Sequence, residues 1–480
     1  MTHLTHQLAV QKLGLENVYY VHLFLSDISL FQSVNEEYCK FFGKSPPSRT
    51  CVALPFTSVQ EQKVTVKAHF NISAAYIARK VLHVRSISEW APSCIGPYSQ
   101  ANVIGDSLIF LAGQIPLIPG AMKVQECAVT DLDNTDLCVL TWNRAVWWPI
   151  CCIQVAACVR HISNLLESLD SSTSQLVSFI IYVNVGPDSP MHEATSLGKI
   201  FEDISNLATQ LLAKSRAKKS RDGVGCDEEV VEEEEEKNDD EEEEDDDEVH
   251  LPPISVIGVH GLPRNCLIEV ESAALTASAA TGRVKCIRKN KVHKLEFVSL
   301  KDTKVNRSQC RPVPIESSWP FWSTDIFQKV SHLPLPCELE SKKVLQMEGN
   351  VHHMTSYCKF YPKVFSFGSC SLSFDVKNGW HCVAYVIASC LQDYLVESET
   401  DIESIKRVLI VCSYGPDSSL LMSSLEYYFQ ILIGIKQCPI ILLPVGKNND
   451  VIITDFSVSI IWEAFNLDKM FTEKWLNKLS

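Results

Sequence analysis

Three stretches of this chain share one pattern: an apolar, β-branched run, a turn, and then apolar residues at helical spacing. The first runs from Val18 to Leu25, stops at Ser26-Asp27, and is followed by Leu30, Val34, Tyr38 and Phe41. The second, Ile180 to Val185, stops at Gly186-Pro187-Asp188-Ser189. The third, Leu409 to Tyr414, stops at Gly415-Pro416-Asp417-Ser418, and Leu421, Leu425, Tyr428 and Leu432 follow it. Each run predicts a strand, and the Asp or Ser of each turn suits the cap of the helix behind it.

Two of these units then predict a closing pair of strands. Arg49 to Leu54 leads to Val64, Val66, Ala68 and Phe70, which alternate with polar residues as a half-buried strand does. Ile440 to Leu443 leads through Gly446-Lys447-Asn448-Asn449 to Val451-Ile452-Ile453. The middle unit reaches its pair late. Its helix, expected over Ala194 to Ala213, runs into the basic stretch Lys214 to Arg221 and an acidic run, and strand character resumes only at Pro252 to Ile257. Strand, helix, strand, strand, repeated, predicts α+β units with helices on one sheet face.

Composition changes this picture in three places. A chain of 480 residues with 46% apolar content has material for several cores and is too long for one. Its net charge of −15 is local: Asp227 to Glu248 holds 18 acidic residues and one lysine, which leaves 42 basic against 40 acidic residues elsewhere. So dense a run cannot bury enough to offset its ordering entropy and predicts a solvated loop inserted within the middle unit. The nearly neutral remainder excludes the general basic face of a nucleic-acid binder. The 19 cysteines show no Cys-x-x-Cys spacing, and Met1 to Leu4 does not open a signal peptide, so reduced, buried thiols and a cytoplasmic location are expected. His352-His353 and Cys358 lack the spacing of a zinc site, so no metal is expected. The longest apolar stretch, Ala145 to Val159, is shorter than a membrane span, and no membrane association is expected.

The middle unit carries more specific signals. Trp90-Ala91-Pro92-Ser93-Cys94-Ile95-Gly96-Pro97-Tyr98-Ser99-Gln100-Ala101, then Leu108 to Pro116 ending in Gly113-Gln114-Ile115-Pro116, then Gly261 to Glu271 occur in that order. Together they resemble the RidA (YjgF/L-PSP) family. Val34-Asn35-Glu36-Glu37-Tyr38 with Phe41-Phe42, followed by Pro46-Pro47-Ser48-Arg49, is similar to the second helix and arginine-bearing strand of that family. The resemblance implies tandem RidA-like (chorismate-mutase-like) domains, each a mixed six-stranded sheet backed by two helices. Residues 1–78 read as the C-terminal half of a first domain, and 79–280 as a second with its acidic insertion at about 214–250. Residues 281–350 read as an irregular connection, and 351–480 as a degenerate third copy. Three copies would close an intramolecular pseudo-trimer, the alternative being a homo-oligomer.

Active members of the family deaminate imines such as 2-iminobutyrate in clefts between subunits. The resemblance implies an arginine on the substrate carboxylate, a glutamate on the attacking water and a tyrosine from the neighbouring subunit. In the first unit Arg49 matches the arginine, whereas Thr65 stands at the glutamate position. In the middle unit Tyr98, Gly113, Gln114 and Glu269 match, but Ile254 replaces the arginine and Ala112 replaces a small hydroxyl residue. The third unit has no arginine from Ile431 to Gly446. No single unit is complete. Either Arg49 meets Tyr98 or Glu269 across an inter-unit cleft, or Arg49 caps a strand end and Glu269 sits on a half-exposed strand.

The repeats and the linker Arg79 to Trp90 further resemble the repeat region of the long-form diphthine–ammonia ligase family. That family uses ATP and ammonium to amidate diphthine on elongation factor 2, through a Ser-Gly-Gly-x-Asp-Ser loop absent from this sequence. The implied reading is the repeat region without its ATP-pyrophosphatase domain, with ATP as cofactor only of a full-length enzyme and elongation factor 2 as the implied partner. Other function classes stay open beside it: a RidA-type deaminase with a composite pocket, or an interaction protein using its acidic loop. A Walker loop, a Gly-x-Gly-x-x-Gly turn and a Gly-x-Ser-x-Gly elbow are all absent. One segment is out of pattern: Thr141 to Cys152 contains Pro149 and is expected to interrupt the first helix of the middle unit before Val155. Translated intron and a membrane-surface or partner-binding loop are the two explanations for it.

Overall fold

In the computed structural model the three apolar runs are the strands around which three sheets are built. The structure describes residues 2–10, 12–54, 68–125, 144–187, 189, 197–222, 251–279, 284–295, 349–360, 365–375, 405–413, 440–445 and 455–465, with a few positions between 384 and 425. Helix α1 (Thr2–Val10) precedes β1 (Val18–Leu25), α2 (Phe31–Tyr38), β2 (Ser48–Ala53) and β3 (Ala68–Ala74). The first sheet has the order β2-β1-β3, with β1 and β2 parallel and β3 antiparallel to β1. Every residue of β1 is buried, because α2 covers one face and the second sheet covers the other.

The second sheet uses β4 (Arg79–Leu82), β5 (Ala101–Ile104), β6 (Leu108–Gln114), β9 (Leu176–Asn184), β10 (Ile254–Val259) and β11 (Ile268–Leu275). Between them, β7 (Leu117–Ile118) and β8 (Lys123–Val124) form a small hairpin, while α3 (Arg144–Glu167) and α4 (Leu197–Asp222) back the sheet. The order is β10-β9-β11-β6-β5-β4, and only β9 and β10 run parallel. The third sheet contains β12 (Val284–Leu295), β13 (Gly349–Phe360), β14 (Phe365–Asp375), β15 (Ile405–Ser413), β16 (Ile440–Val445) and β17 (Asp455–Phe465). Its order, β12-β13-β14-β17-β15-β16 with β15 and β16 parallel, repeats the connectivity of the second sheet. The fold is therefore mixed α+β. The stretch expected as an irregular connection, 281–350, includes β12, so the third sheet begins earlier in the chain than its apolar pattern indicated.

Alternation along β9 explains how the second sheet is covered on both sides. Phe179, Ile181 and Val183 face the helices, where Trp147, Cys151, Val155, Cys158, Ile162 and Leu165 of α3 recur at three- and four-residue spacing. Ile180 and Tyr182 face the other way, with Ile257 and Val259, onto Phe24, Val52 and Leu54 of the first sheet and Ile461 of the third. Tyr19 and Tyr20 meet Phe110, Val177 and Phe367 in a neighbouring cluster.

Two expectations about helices are corrected here. Residues 144–152 do not interrupt α3 but begin it, with Pro149 inside its second turn. A proline at this position removes one i→i−4 hydrogen bond and crowds the carbonyl four residues back. Burial of Trp147 and Cys151, each worth on the order of 2 kcal/mol, offsets that loss. Gln154 is tied in as well, its Oε1 accepting from the backbone N–H groups of Leu267 and Ile268 at 2.8 and 3.2 Å. This helix also contains a 21-residue stretch, Trp147–Glu167, long and apolar enough to cross a membrane by length and composition. In this fold that stretch is a core helix on the second sheet. The second correction concerns α4, which carries the basic stretch from Lys214 as helix as far as Asp222. The acidic run lies outside the described residues.

Candidate small-molecule site between the first two sheets

Strand β2 is an edge strand, and the second sheet's elements cover that edge. Ala53 N donates to Gly261 O at 2.8 Å, His260 N returns a bond to Ala53 O at 2.8 Å, and Ser99 N donates to Pro47 O at 3.1 Å. Ser48 Oγ donates to Phe110 O at 3.0 Å and accepts from Asn102 Nδ2 at 2.9 Å. Arg79 braces the junction, its Nε donating to Glu16 O at 2.9 Å and its Nη2 to Ser45 O at 2.6 Å. These bonds fix the β2 backbone against the loop that carries Tyr98, against β5 and β6, and against the turn after β10.

Arg49 is the second residue of β2 and is only 2% exposed. Its guanidinium carbon lies 4.8 Å from the ring centre of Tyr38, 5.2 Å from that of Tyr98 and 5.7 Å from that of Phe31. Phe31 and Tyr38 come from one face of α2, Tyr98 from the other unit. None of its nitrogens, Nε, Nη1 or Nη2, has a hydrogen-bond partner among the described residues. The reading of Arg49 as a strand cap is therefore wrong. It is a buried cation held between aromatic faces with its directional bonds unspent.

Glu269 is likewise buried, 2% exposed, and not half-exposed as its alternation with Glu271 suggested. The alternation was read correctly, but the face it defines is covered by the first sheet rather than by water. Its Oε1 accepts from the edge amide of Cys51 at 3.4 Å, and its Oε2 has no hydrogen-bond partner among the described residues. Burial is the main reason its carboxyl is pushed up to about 8; the Cys51 amide opposes the shift, Glu271 adds to it and Arg49 opposes it. Burial also raises the Tyr38 and Tyr98 hydroxyls, which stay protonated, and pushes the Cys51 thiol up to about 12.

Two glycines make this arrangement possible. A side chain at Gly113 would fall inside the Glu269 carboxyl, and a Cβ at Gly96 would sit 2.7 Å from Arg49 Nη2 and 3.2 Å from Asn35 Nδ2. Arg49, Tyr98, Gly113 and Glu269 are thus brought together from two units, none of which was complete alone. Gln114 is placed otherwise: its side chain folds onto its own strand, Nε2 donating to Ala112 O at 2.8 Å. Thr65, at the glutamate position of the first unit, lies outside the described residues, and Ile254 is part of β10.

Residue-by-residue matching missed two participants. Asn35 is 7% exposed with Oδ1 unpartnered, and Tyr38 is 1% exposed with its hydroxyl unpartnered. Helical spacing carried the signal, since Phe31, Asn35 and Tyr38 fall at i, i+4 and i+7 on one face. The site therefore offers a guanidinium fork, an amide oxygen, a phenol and a carboxyl, all desolvated: the guanidinium and the amide meet at Gly96, the Tyr38 ring lies against the guanidinium, and the carboxyl lies against Gly113.

One consequence of Glu269 is measurable without any ligand. Its folded carboxyl keeps a proton that the unfolded chain loses from its ordinary value of 4.5 upward. Stability it contributes is thus complete below pH 4.5 and is lost as pH rises toward about 8. Denaturant unfolding should show Glu269→Gln flattening that decline relative to the unsubstituted chain. Equal slopes for the two proteins would contradict the burial described here.

Solved structures similar to this chain include proteins of the Rid family. One of them, the conserved Rid protein YyfA from Yersinia pestis, is 18% identical, with 41% of this chain and 99% of that chain covered at a TM-score of 0.22. More particular relatives are two diphthine–ammonia ligases. That of Schizosaccharomyces pombe is 40% identical over 111 residues, 23% of this chain and 17% of the relative. That of Saccharomyces cerevisiae is 28% identical over 176 residues, 33% of this chain and 22% of the relative. The aligned part thus spans about a fifth of the length of either relative. No family model matches the chain.

Proposed function

We propose that this chain is the RidA-like repeat region of a diphthine–ammonia ligase-like protein, and that its first two units form one composite site for a small α-imino or α-oxo carboxylate. The observation that carries the site is Arg49, a buried guanidinium with every nitrogen unpartnered, placed beside Glu269, a buried carboxyl with one oxygen unpartnered. A ligand carboxylate satisfies the fork of Arg49 through two parallel charge-assisted bonds, which a lysine cannot reproduce. The amide oxygen of Asn35 is an acceptor and suits an N–H of an imine or enamine.

The chemistry follows from these positions. With the carboxylate on Arg49, the iminium carbon faces Glu269, whose carboxylate form takes a proton from water as that water adds. Glu269 returns that proton to the nitrogen, the C–N bond breaks to release ammonia, and the hydroxyl proton left on the new carbonyl passes to Glu269 and on to solvent, so the product is the 2-oxo acid. Carboxyl burial suits this role, because it brings the acid and base forms of Glu269 within reach near neutral pH. In this reading the described residues carry no step of ATP use or of diphthine amidation on elongation factor 2, and the repeats act as a metabolite-handling module. The measurement is hydrolysis of 2-iminobutyrate by the intact chain. A rate above the uncatalysed background supports deamination; a rate at background, with 2-oxobutyrate still bound, reduces the site to a sensor.

A further inference from the structure

Glu269 is not the only carboxyl on its strand face. Glu271, two residues along β11, is 5% exposed, yet both of its oxygens are engaged. Its Oε2 accepts from the Tyr182 hydroxyl at 2.9 Å, and its Oε1 lies 2.8 Å from His22 Nε2. His22 belongs to β1 of the first unit and is 2% exposed, its ring against those of Tyr20 at 4.7 Å and Phe24 at 6.1 Å. An ionised carboxylate only accepts, and both partners here are able to donate, so this geometry suits the charged form of Glu271. Two neighbouring carboxyls therefore have opposite surroundings. Glu271 is bonded on both oxygens, while Glu269 has one long bond and one vacant oxygen. Environments that drive such a pair apart divide acid and base roles between them.

We propose that the His22–Glu271 pair, formed between the two units, is the positioning device of the composite site: it anchors a negative charge beside Glu269 and thereby sets the pH range over which Glu269 exchanges its proton. This rests on the ligand-binding reading of that site. Other groups face Glu269 as well: Arg49 and Cys51 from β2, Tyr98 from the loop before β5, Cys158 from α3 and Cys266 from the turn before β11. Among these Arg49 brings the opposing charge, and the three cysteines and the tyrosine are held in their neutral forms by burial. Among the described residues Glu271 is the carboxyl set against Glu269 as a like charge. His22 makes that charge dependent on docking, since it reaches Glu271 only when the first unit sits on the second.

The test reads Glu269 in the ligand-free full-length chain. Infrared difference spectra across a pH titration give the protonated carboxyl band, assigned to Glu269 by its loss in Glu269→Gln. Glu271→Gln keeps the shape of the side chain and removes its charge, and should move the midpoint of that band down by about one pH unit. Tyr182→Phe, which takes one bond from Glu271 and leaves the packing intact, should move it in the same direction by less. A midpoint unchanged in Tyr182→Phe and in folded Glu271→Gln overturns the proposal. The reading does not use a ligand, so a chain that shows the shift but binds no 2-oxobutyrate loses the ligand assignment and keeps the coupling.

Discussion

Arg49→Met abolishes binding of small carboxylates while leaving the chain folded. The side chains are close in volume, so the aromatic surround of Phe31, Tyr38 and Tyr98 stays filled. What disappears is the guanidinium in ring contact with all three. A bidentate charge-assisted pair in a desolvated place is worth about 3 kcal/mol, so affinity should fall roughly 100-fold or more. Thermal stability should not fall with it, because the arginine is buried without hydrogen-bonded partners and its removal relieves a desolvation cost. Calorimetric titration with 2-oxobutyrate and thermal unfolding of the same samples check both halves. Binding within a few-fold of the parent would remove Arg49 from the site.

Gly113→Ala should have the next largest effect, and of a different kind. The added methyl occupies the position of the Glu269 carboxyl, in a place bounded by β6, β11 and the edge of β2. Overpacking of this type costs about 1–3 kcal/mol and displaces whichever neighbour yields first. Here the carboxyl yields, so unfolding free energy and turnover of 2-iminobutyrate should fall together. Gly96→Ala makes a matching comparison, since it crowds Arg49 Nη2 and Asn35 instead. Its binding loss should exceed its stability loss, because the tip of a guanidinium moves more easily than a carboxyl wedged between strands. An unchanged melting temperature and rate in Gly113→Ala would show that the close approach does not exist.

Much of the fold was legible because period-2 and period-3.6 patterns report local structure directly. The runs at Val18, Ile180 and Leu409 became β1, β9 and β15, each parallel to the next strand in its unit. Pattern failed where tertiary packing overrode a local rule. Pro149 reads as a breaker, yet Trp147 and Cys151 are drawn into the core and α3 forms through it. β12 lies in a stretch rich in lysine, whose polar positions hide its pairing with β13.

The site was legible only in pieces. Arg49, Tyr98, Gly113 and Glu269 each belong to a motif, but nothing in a linear chain states that β2 and β11 bring residue 49 and residue 269 into one neighbourhood. Glu269 and Glu271 alternate with apolar residues as a solvent-facing pair would. The burial of both comes from the first sheet, whose strands lie about two hundred residues earlier in the chain and pack on that face. His22 gave no signal at all, since a lone histidine in an apolar strand is most simply a core residue, and its partner is 249 residues away.

The central claim is that one site is assembled from two incomplete units, and calorimetric titration of 2-oxobutyrate into the intact chain at neutral pH tests it most directly. The account predicts saturable binding at one site per chain, lost in Arg49→Met of the first unit and equally weakened in Tyr98→Ala of the second. Absence of saturable binding in the intact chain, or binding that survives both substitutions, would contradict it.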